Sequence, residues 1–173
     1  WVDFTLKYKF LYSKSRSLLS TPMPRELFSI TRSALLYSCP IEKRCGANIS
    51  GVIHIGAHFG QEAKDYVDNG ITEMVFFEPL SENLEVLEYN LSYVANDANI
   101  MIYPVALGNE EKEVEMYVSN RDRMCSSVLK PKVVLEQYPD ITFDERETVE
   151  MMRLDDTDLE FDNFNFLNID VQG

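Results

Sequence analysis

Short apolar runs on either side of a helical segment constrain the fold of this sequence more than any other feature. The first apolar run is 52–55, which Gly56 follows, and the second is 74–77, which Glu78 follows. The segment between the runs ends at Gly70, where glycine can adopt the left-handed conformation that terminates helices. Strand, helix and strand in this order are typical of a right-handed crossover unit in a parallel sheet buried on both faces.

The same rhythm continues through the rest of the chain. A helix capped by Ser81 precedes a third apolar run, and a fourth apolar run lies near the end of the sequence. Between these last two runs, polar and apolar residues mostly alternate in two stretches, which predicts an inserted antiparallel hairpin. The predicted class is α/β, with a mostly parallel sheet and helices on both faces. The third and fourth predicted strands are 100–105 and 166–171, and the predicted hairpin strands are 113–117 and 148–151.

The chain divides into two predicted parts. Residues 1–48 contain prolines and then Leu27, Ile30, Ala34 and Leu35 at helical spacing, which predicts a helical accessory segment. Residues 49–173 carry the strand and helix alternation and form the predicted main domain. The sequence stops just after the fourth predicted strand, so we expect this domain to be incomplete at its carboxyl end.

Charge and composition exclude several classes of function. The formal net charge of -13 argues against nucleic acid as a partner, because lysine and arginine drive phosphate binding. No apolar run approaches the roughly 18 residues of a membrane span, so we expect no integral membrane segment. Three cysteines without paired spacing predict neither a disulfide framework nor a zinc site, and they favour a reducing compartment such as the cytoplasm.

The turn after the first strand, GAHFG, lies where open parallel sheets bind ligands. A dinucleotide fingerprint starting at Gly56 needs glycine at the positions of His58 and Gln61, and a side chain at 58 obstructs close approach of a pyrophosphate. Glu78 follows the second strand at a distance suited to hydrogen bonds with ribose hydroxyls. The turn therefore favours S-adenosylmethionine, which has an adenosine but no phosphate, over a dinucleotide.

Six sequence blocks together resemble the FkbM-type S-adenosylmethionine-dependent methyltransferases. They occur in family order with suitable spacing over about residues 52–173, which makes the resemblance much more specific than any one block. The resemblance implies a Rossmann-like class I methyltransferase fold and methyl transfer to a hydroxyl oxygen, often on a sugar or natural product. The blocks are HIGAHFG, FFEPLSENLEVLEYNL, VALGNEEKEVEMYV, CSSV, RLDD and NIDVQG.

The resemblance also implies roles for individual residues. Asp170 and His58 are the predicted catalytic candidates, as groups that orient the acceptor hydroxyl or take its proton. Ser126 and Ser127 are candidates for contact with the acceptor, and His54 is predicted to be a satisfied core histidine rather than a catalytic or metal-binding group. The predicted cofactor-binding residues are Gly56, Ala57, His58, Gly60, Glu78, Asn83, Ala106, Leu107 and Asp170.

Two other functions stay open at the level of sequence. A catalytically silent nucleoside-binding or interaction domain is one, because the chain has histidines at 54 and 58 where the family usually has an acid and an asparagine. A nicotinamide-dependent oxidoreductase is the other, since the sheet and Glu78 suit both cofactors. If the protein is a methyltransferase, the expected partner is a small-molecule or glycan acceptor with a hydroxyl group.

Overall fold

The computed structural model describes residues 28–30, 48–94 and 98–172 of the chain. In these ranges the chain forms eight strands and three α-helices, with two short 3-10 turns between the last two strands. In chain order the elements are β1 (Phe28–Ile30), β2 (Gly51–Ile55), α1 (Ala63–Asp68), β3 (Glu73–Phe77), α2 (Ser81–Val94), β4 (Asn99–Tyr103), β5 (Ala106–Leu107), β6 (Lys112–Val118), α3 (Val133–Gln137), β7 (Glu145–Met152), the turns Leu154–Asp156 and Phe161–Asn163, and β8 (Phe166–Ile169).

The main sheet has five strands in the order β1-β8-β2-β3-β4, and every neighbouring pair is parallel. The central strand β2 places His54 opposite Phe76 of β3 and opposite Asn168 of β8. Val52 and Ile53 point to opposite faces of this strand, and neither is exposed to solvent. The chain therefore has the α/β fold that its apolar runs predict, and the fold is Rossmann-like, as the family resemblance implies.

Helices α1 and α2 cover one face of the main sheet. Tyr66 of α1 and Leu87 and Leu91 of α2 are buried in the same apolar cluster as Val52 and Phe76 of the sheet. The apolar side chains of α2 recur at helical spacing, so one stripe of this helix packs on the sheet while the other side meets water. No helix in the described ranges is both long enough and apolar enough to cross a lipid bilayer.

The opposite face of the main sheet has a different cover. Ile53 and Val75 of this face lie in one cluster with Leu154, Leu159 and Phe164, which come from the segment that contains the two 3-10 turns. Among the described residues, the two α-helices whose side chains belong to a core cluster of the sheet, α1 and α2, lie on the first face. The segment contains a closely spaced series of acids, and short turns let its few apolar side chains reach the sheet while the carboxylates stay at the surface.

The predicted hairpin is present as part of a second sheet. Strands β6 and β7 pair antiparallel with Val114 opposite Val149, and β5 adds to β7 in parallel. Met116, Val118 and Val149 form a small apolar cluster with Leu80, which precedes α2. The second sheet thus packs beside the carboxyl end of β3, where Glu78 lies.

Two local expectations differ from the structure. Residues 28–30 form strand β1 instead of the predicted helix, and the rest of the predicted helical segment lies outside the described residues. Ser81 is the first residue of α2 and not its cap, because the carbonyl of Leu80 accepts the first helical hydrogen bond, from the N–H of Leu84. The Ser81 N–H is bonded instead by the carboxylate of Glu147 on β7, at 2.7 Å.

A buried polar cluster joins β2, β8 and α1. The Asn168 amide donates to the Tyr66 hydroxyl at 2.7 Å and lies 3.3 Å from His54 Nε2, while that hydroxyl lies 3.2 Å from His54 Nδ1. Burial raises the pKa of the Tyr66 hydroxyl far above its ordinary value, so it stays protonated. His54 is therefore a hydrogen-bonded core residue, as its mid-strand position predicts.

Replacing the central amide should weaken the fold. We expect Asn168→Ala to lower the free energy of unfolding by about 1 to 3 kcal/mol, because it leaves buried polar groups of Tyr66 and His54 short of a partner. Urea denaturation followed by circular dichroism measures the change. The control Asn109→Ala removes an exposed amide and should stay within about 0.5 kcal/mol of the parent. Equal stability of the two variants would contradict the role of the cluster.

Candidate functional site

A cleft lies at the carboxyl ends of β2, β3 and β8, beside β5 and the second sheet. It encloses about 130 Å³, whereas pockets for small molecules and cofactors hold roughly 300 to 1,000 Å³. A ligand of that class therefore fills the cleft and extends to its open mouth. The predicted residues that line it are Gly56, His58, Glu78, Asn83, Ala106, Leu107, Asp170, Ser126 and Ser127.

Gly56 brings the first turn into direct contact with the end of β8. Its φ of +78° lies in the left-handed region, and a Cβ atom at this position would lie 2.3 Å from the carbonyl oxygen of Asp170. Any side chain would force the two strand ends apart. Glycine is required here by strand packing as well as by the turn, which explains why a glycine marks the site in the sequence.

The backbone N–H groups of the turn are bonded within the protein. Those of Gly56 and Ala57 both donate to the carbonyl of Phe77, at 2.9 and 3.0 Å. That of His58, a residue with φ of 51°, donates to Glu78 Oε2 at 2.8 Å. Phosphate-binding turns point several free N–H groups at their ligand. These three consecutive groups leave no such cradle.

Ala57 and Gly60 are not among the residues that line the cleft, and their contact with a cofactor stays a prediction. Ala57 is 1% exposed and belongs to the cluster beneath α1 and α2. Gly60 has φ of +70°, its N–H donates to the carbonyl of Ala57, and a Cβ atom there would lie 2.6 Å from Leu87 Cδ1. Both residues shape the turn, and only through it do they affect the cleft.

Glu78 is a buried carboxylate at the end of β3. Only 4% of the residue is exposed, and it accepts three hydrogen bonds. The His58 N–H reaches Oε2, while the Leu80 N–H and the Asn83 amide reach Oε1 at 3.0 and 3.1 Å. Because a carboxylate has about four acceptor sites, the Oε2 atom has capacity for one more donor.

Asn83 adds a second acceptor next to this carboxylate. Its amide nitrogen donates to Glu78 Oε1, which fixes the orientation of the side chain, since a carboxylate only accepts. The residue is only 2% exposed, and its buried Oδ1 atom has no hydrogen-bond partner among the described residues. A buried acceptor without a partner costs about 1 to 3 kcal/mol, which a ligand donor would recover.

The imidazole of His58 is engaged at both nitrogens. Nε2 lies 2.6 Å from the carbonyl oxygen of Asp122, and Nδ1 lies 2.8 Å from the amide nitrogen of Gln61. These partners assign the proton to Nε2 and leave Nδ1 as an acceptor for the amide. The ring thus ties the turn to the loop that contains Asp122, and its predicted catalytic role stays a prediction.

Ala106 and Leu107 lie on an apolar wall of the cleft. They form β5, which follows β4 and pairs with Met151 and Met152 of β7. Phe77 and Val105, both buried, continue this wall. A flat heteroaromatic ring is the kind of ligand group that such a surface accommodates.

Asp170 follows β8 directly and completes the polar part of the cleft. Its N–H donates to the carbonyl of Ile55 at 2.9 Å, so it lies beside Gly56 at the centre of the sheet edge. Asp170 and Glu78 make this part of the cleft acidic, which favours a cationic ligand group. Within the described ranges, no three histidine, cysteine or acidic side chains come together to form a metal site.

The loop between β6 and α3 closes one side of the cleft, and it contributes lining residues that sequence reasoning missed. Ser127 pairs with Tyr117 of β6 through two backbone hydrogen bonds, and its hydroxyl donates to the carbonyl of Gln172 while accepting from the Leu129 N–H. Ser127 is therefore structural, whereas Ser126 accepts from the Ser119 N–H and retains its own proton to donate. The lining residues missed from this loop are Arg123, Met124 and Val128.

Arg123 holds this loop against the rest of the domain. Its guanidinium lies 2.7 Å from a carboxylate oxygen of Glu82 on α2 and 3.2 Å from one of Glu145 on β7. Asp122 and Arg123 have φ of 47° and 58°, a conformation that costs free energy for residues other than glycine. The two ion pairs and the His58 contact together hold the loop in this conformation. No sequence pattern indicates the arrangement, because its partners lie far apart in the chain.

Comparison with known proteins agrees with this geometry. The family model for the methyltransferase FkbM domain matches residues 54–173, which include every cleft residue named above. No curated protein and no solved structure matches the chain. The matched region covers well over half of the sequence and contains the turn, both acids and the second sheet. The chain belongs to the FkbM methyltransferase family.

Proposed function

We propose that the protein is an S-adenosylmethionine-dependent O-methyltransferase that acts on a hydroxyl group of a saccharide or related small molecule. Membership of the FkbM family supports methyl transfer, and the chemistry of the cleft supports the choice of donor. When bound, S-adenosylmethionine supplies a methyl group already activated by its positive sulfur. The task of the protein is then to orient two ligands and to take up a proton.

The pair Glu78 and Asn83 carries this proposal. Two neighbouring ribose hydroxyls need two acceptors, and Glu78 Oε2 with the unpartnered Asn83 Oδ1 would provide them. A hydrogen bond to an ionised, buried carboxylate is about twice as strong as a neutral one. The same pair also explains why an acid is kept at this buried position instead of an apolar residue.

The remaining walls suit the other parts of the donor. The apolar wall of Ala106 and Leu107 suits adenine, and Asp170 would attract the positive sulfur or amino group. In the turn, Gly56 and His58 would lie against the donor, with Ala57 and Gly60 supporting them from the core. A dinucleotide suits the cleft less well, because the turn offers a pyrophosphate none of its first three N–H groups.

We assign the catalytic proton acceptor to Asp170. It is the acid at the end of β8, and the alternative candidate, His58, has both ring nitrogens engaged with Asp122 and Gln61. A carboxylate within hydrogen-bond reach of the acceptor hydroxyl orients it and takes its proton as the methyl group is transferred. We also place the protein in the cytoplasm, since its cysteines indicate a reducing compartment.

Removing the charge of Glu78 should weaken donor binding. We expect Glu78→Gln to lower the affinity for S-adenosylhomocysteine about 10- to 100-fold, because a charged hydrogen bond is lost. Isothermal titration calorimetry on the full chain measures this affinity. The control Glu85→Gln removes an exposed acid of α2 and should leave the affinity within about twofold. Unaltered affinity of Glu78→Gln would refute the ribose role, and no binding by the folded parent would refute the choice of donor.

Removing the proposed base should affect turnover more than binding. We expect Asp170→Asn to lower kcat by about 10²- to 10⁴-fold, the usual contribution of a general base, and to change S-adenosylhomocysteine affinity much less. Turnover is followed as S-adenosylhomocysteine formation with a mixture of saccharide acceptors. His58→Gln, which removes a loop contact but no base, should lose less than about tenfold. A larger loss in His58→Gln than in Asp170→Asn would reverse the assignment.

A further inference from the structure

The positive charge of the described domain is concentrated in the segment that lines one side of the cleft. The segment 121–132, which precedes α3, contains half of the lysines and arginines between residues 48 and 172, namely Arg121, Arg123, Lys130 and Lys132. Asp122 is the only acid in this segment. The protein as a whole has a net charge of -13.

Three of these four cations are available to a ligand. Arg123 is engaged by Glu82 and Glu145, and only 17% of its side chain is exposed. Arg121, Lys130 and Lys132 are exposed, and none of their side chains makes a hydrogen bond or ion pair with the described part of the protein. We call these three residues the basic rim.

The basic rim is attached to the cleft wall. Met124, Ser126 and Val128 of the same segment line the cleft, and Lys130 comes two residues after Val128. The backbone pairing of Ser127 with Tyr117 fixes this segment against β6. Arg121 comes two residues before Arg123, which lines the cleft. The basic rim thus belongs to the same segment as the lining residues, and each of its members lies within four positions of one of them.

We infer that the methyl acceptor carries an anionic group, a carboxylate or a phosphate, which the basic rim of Arg121, Lys130 and Lys132 binds. The inference rests on the proposed function and adds the charge of its second ligand. A single anionic group suits three cations at a cleft mouth, whereas the net charge of the protein would repel an extended polyanion such as nucleic acid. Met124 and Leu129, which are 50% and 58% exposed, offer apolar contact beside the anion.

Matched charged and neutral sugars test this inference without knowledge of the natural acceptor. Binding of methyl glucuronide is compared with that of methyl glucoside, and binding of a glucose phosphate with that of glucose. Ligand-observed NMR with the full chain saturated by S-adenosylhomocysteine gives each affinity. We expect at least one anion to bind about three- to tenfold more tightly than its neutral partner at about 20 mM salt, and the preference to vanish near 500 mM.

Variants locate the effect on the protein. The combined change Arg121→Gln, Lys130→Gln and Lys132→Gln should abolish the preference for the anion while S-adenosylhomocysteine binds within about twofold of the parent. The control Lys64→Gln with Lys112→Gln removes cations that pair with Asp68 and Glu110, and it should keep the preference. If the triple variant fails to fold, Lys130→Gln and Lys132→Gln alone should each reduce the preference.

The outcomes separate this inference from the proposed function. A preference for the glucuronide alone identifies a carboxylate acceptor, a preference for the phosphate alone identifies a phosphorylated one, and equal preference indicates recognition of charge only. If S-adenosylhomocysteine binds but charged sugars show no preference, or if neither sugar of each pair binds, the inference is overturned and the donor assignment stands. If S-adenosylhomocysteine itself fails to bind, the proposed function falls.

Discussion

The buried carboxylate of Glu78 is the interaction on which the site depends. It holds the N–H of His58, and so the left-handed turn after β2, against the end of β3. It also holds Asn83 and the start of α2 through Oε1. An ionised group with so little exposure is stable only while these donors surround it. Turn, strand end and helix start are therefore fixed relative to one another before any ligand arrives.

Strands β2 and β3 could be predicted from the sequence, because they are buried on both faces and read as continuous apolar runs. The hairpin of β6 and β7 could be predicted for a different reason. One face of each strand meets water, so polar and apolar residues alternate along it. The N-terminal strand β1 could not be predicted. Its three residues fit a helical spacing as well as a strand, and only pairing with β8 distinguishes them.

The site was predictable where it follows directly from strand ends. Gly56 and Glu78 each come immediately after an apolar run, Asp170 lies near the end of the fourth run, and parallel strands bring such positions together at one edge. The direction in which Ala57 and Gly60 face depends on backbone dihedrals inside a five-residue turn, which a glycine pattern does not specify. Arg123 and Met124 reach the cleft through a loop whose position depends on hairpin register and on ion pairs with α2 and β7.

The pairing of His54 with Asn168 joins residues that are 114 positions apart in the chain. Strands β2, β3 and β4 are connected by short local crossovers, whereas β8 returns to the centre of the sheet only after the whole second sheet has been made. Closing so long a loop is slow relative to local pairing. We therefore expect β8 to join late in folding, and since Asp170 lies at its end, the protein gains its complete cleft only in that last step.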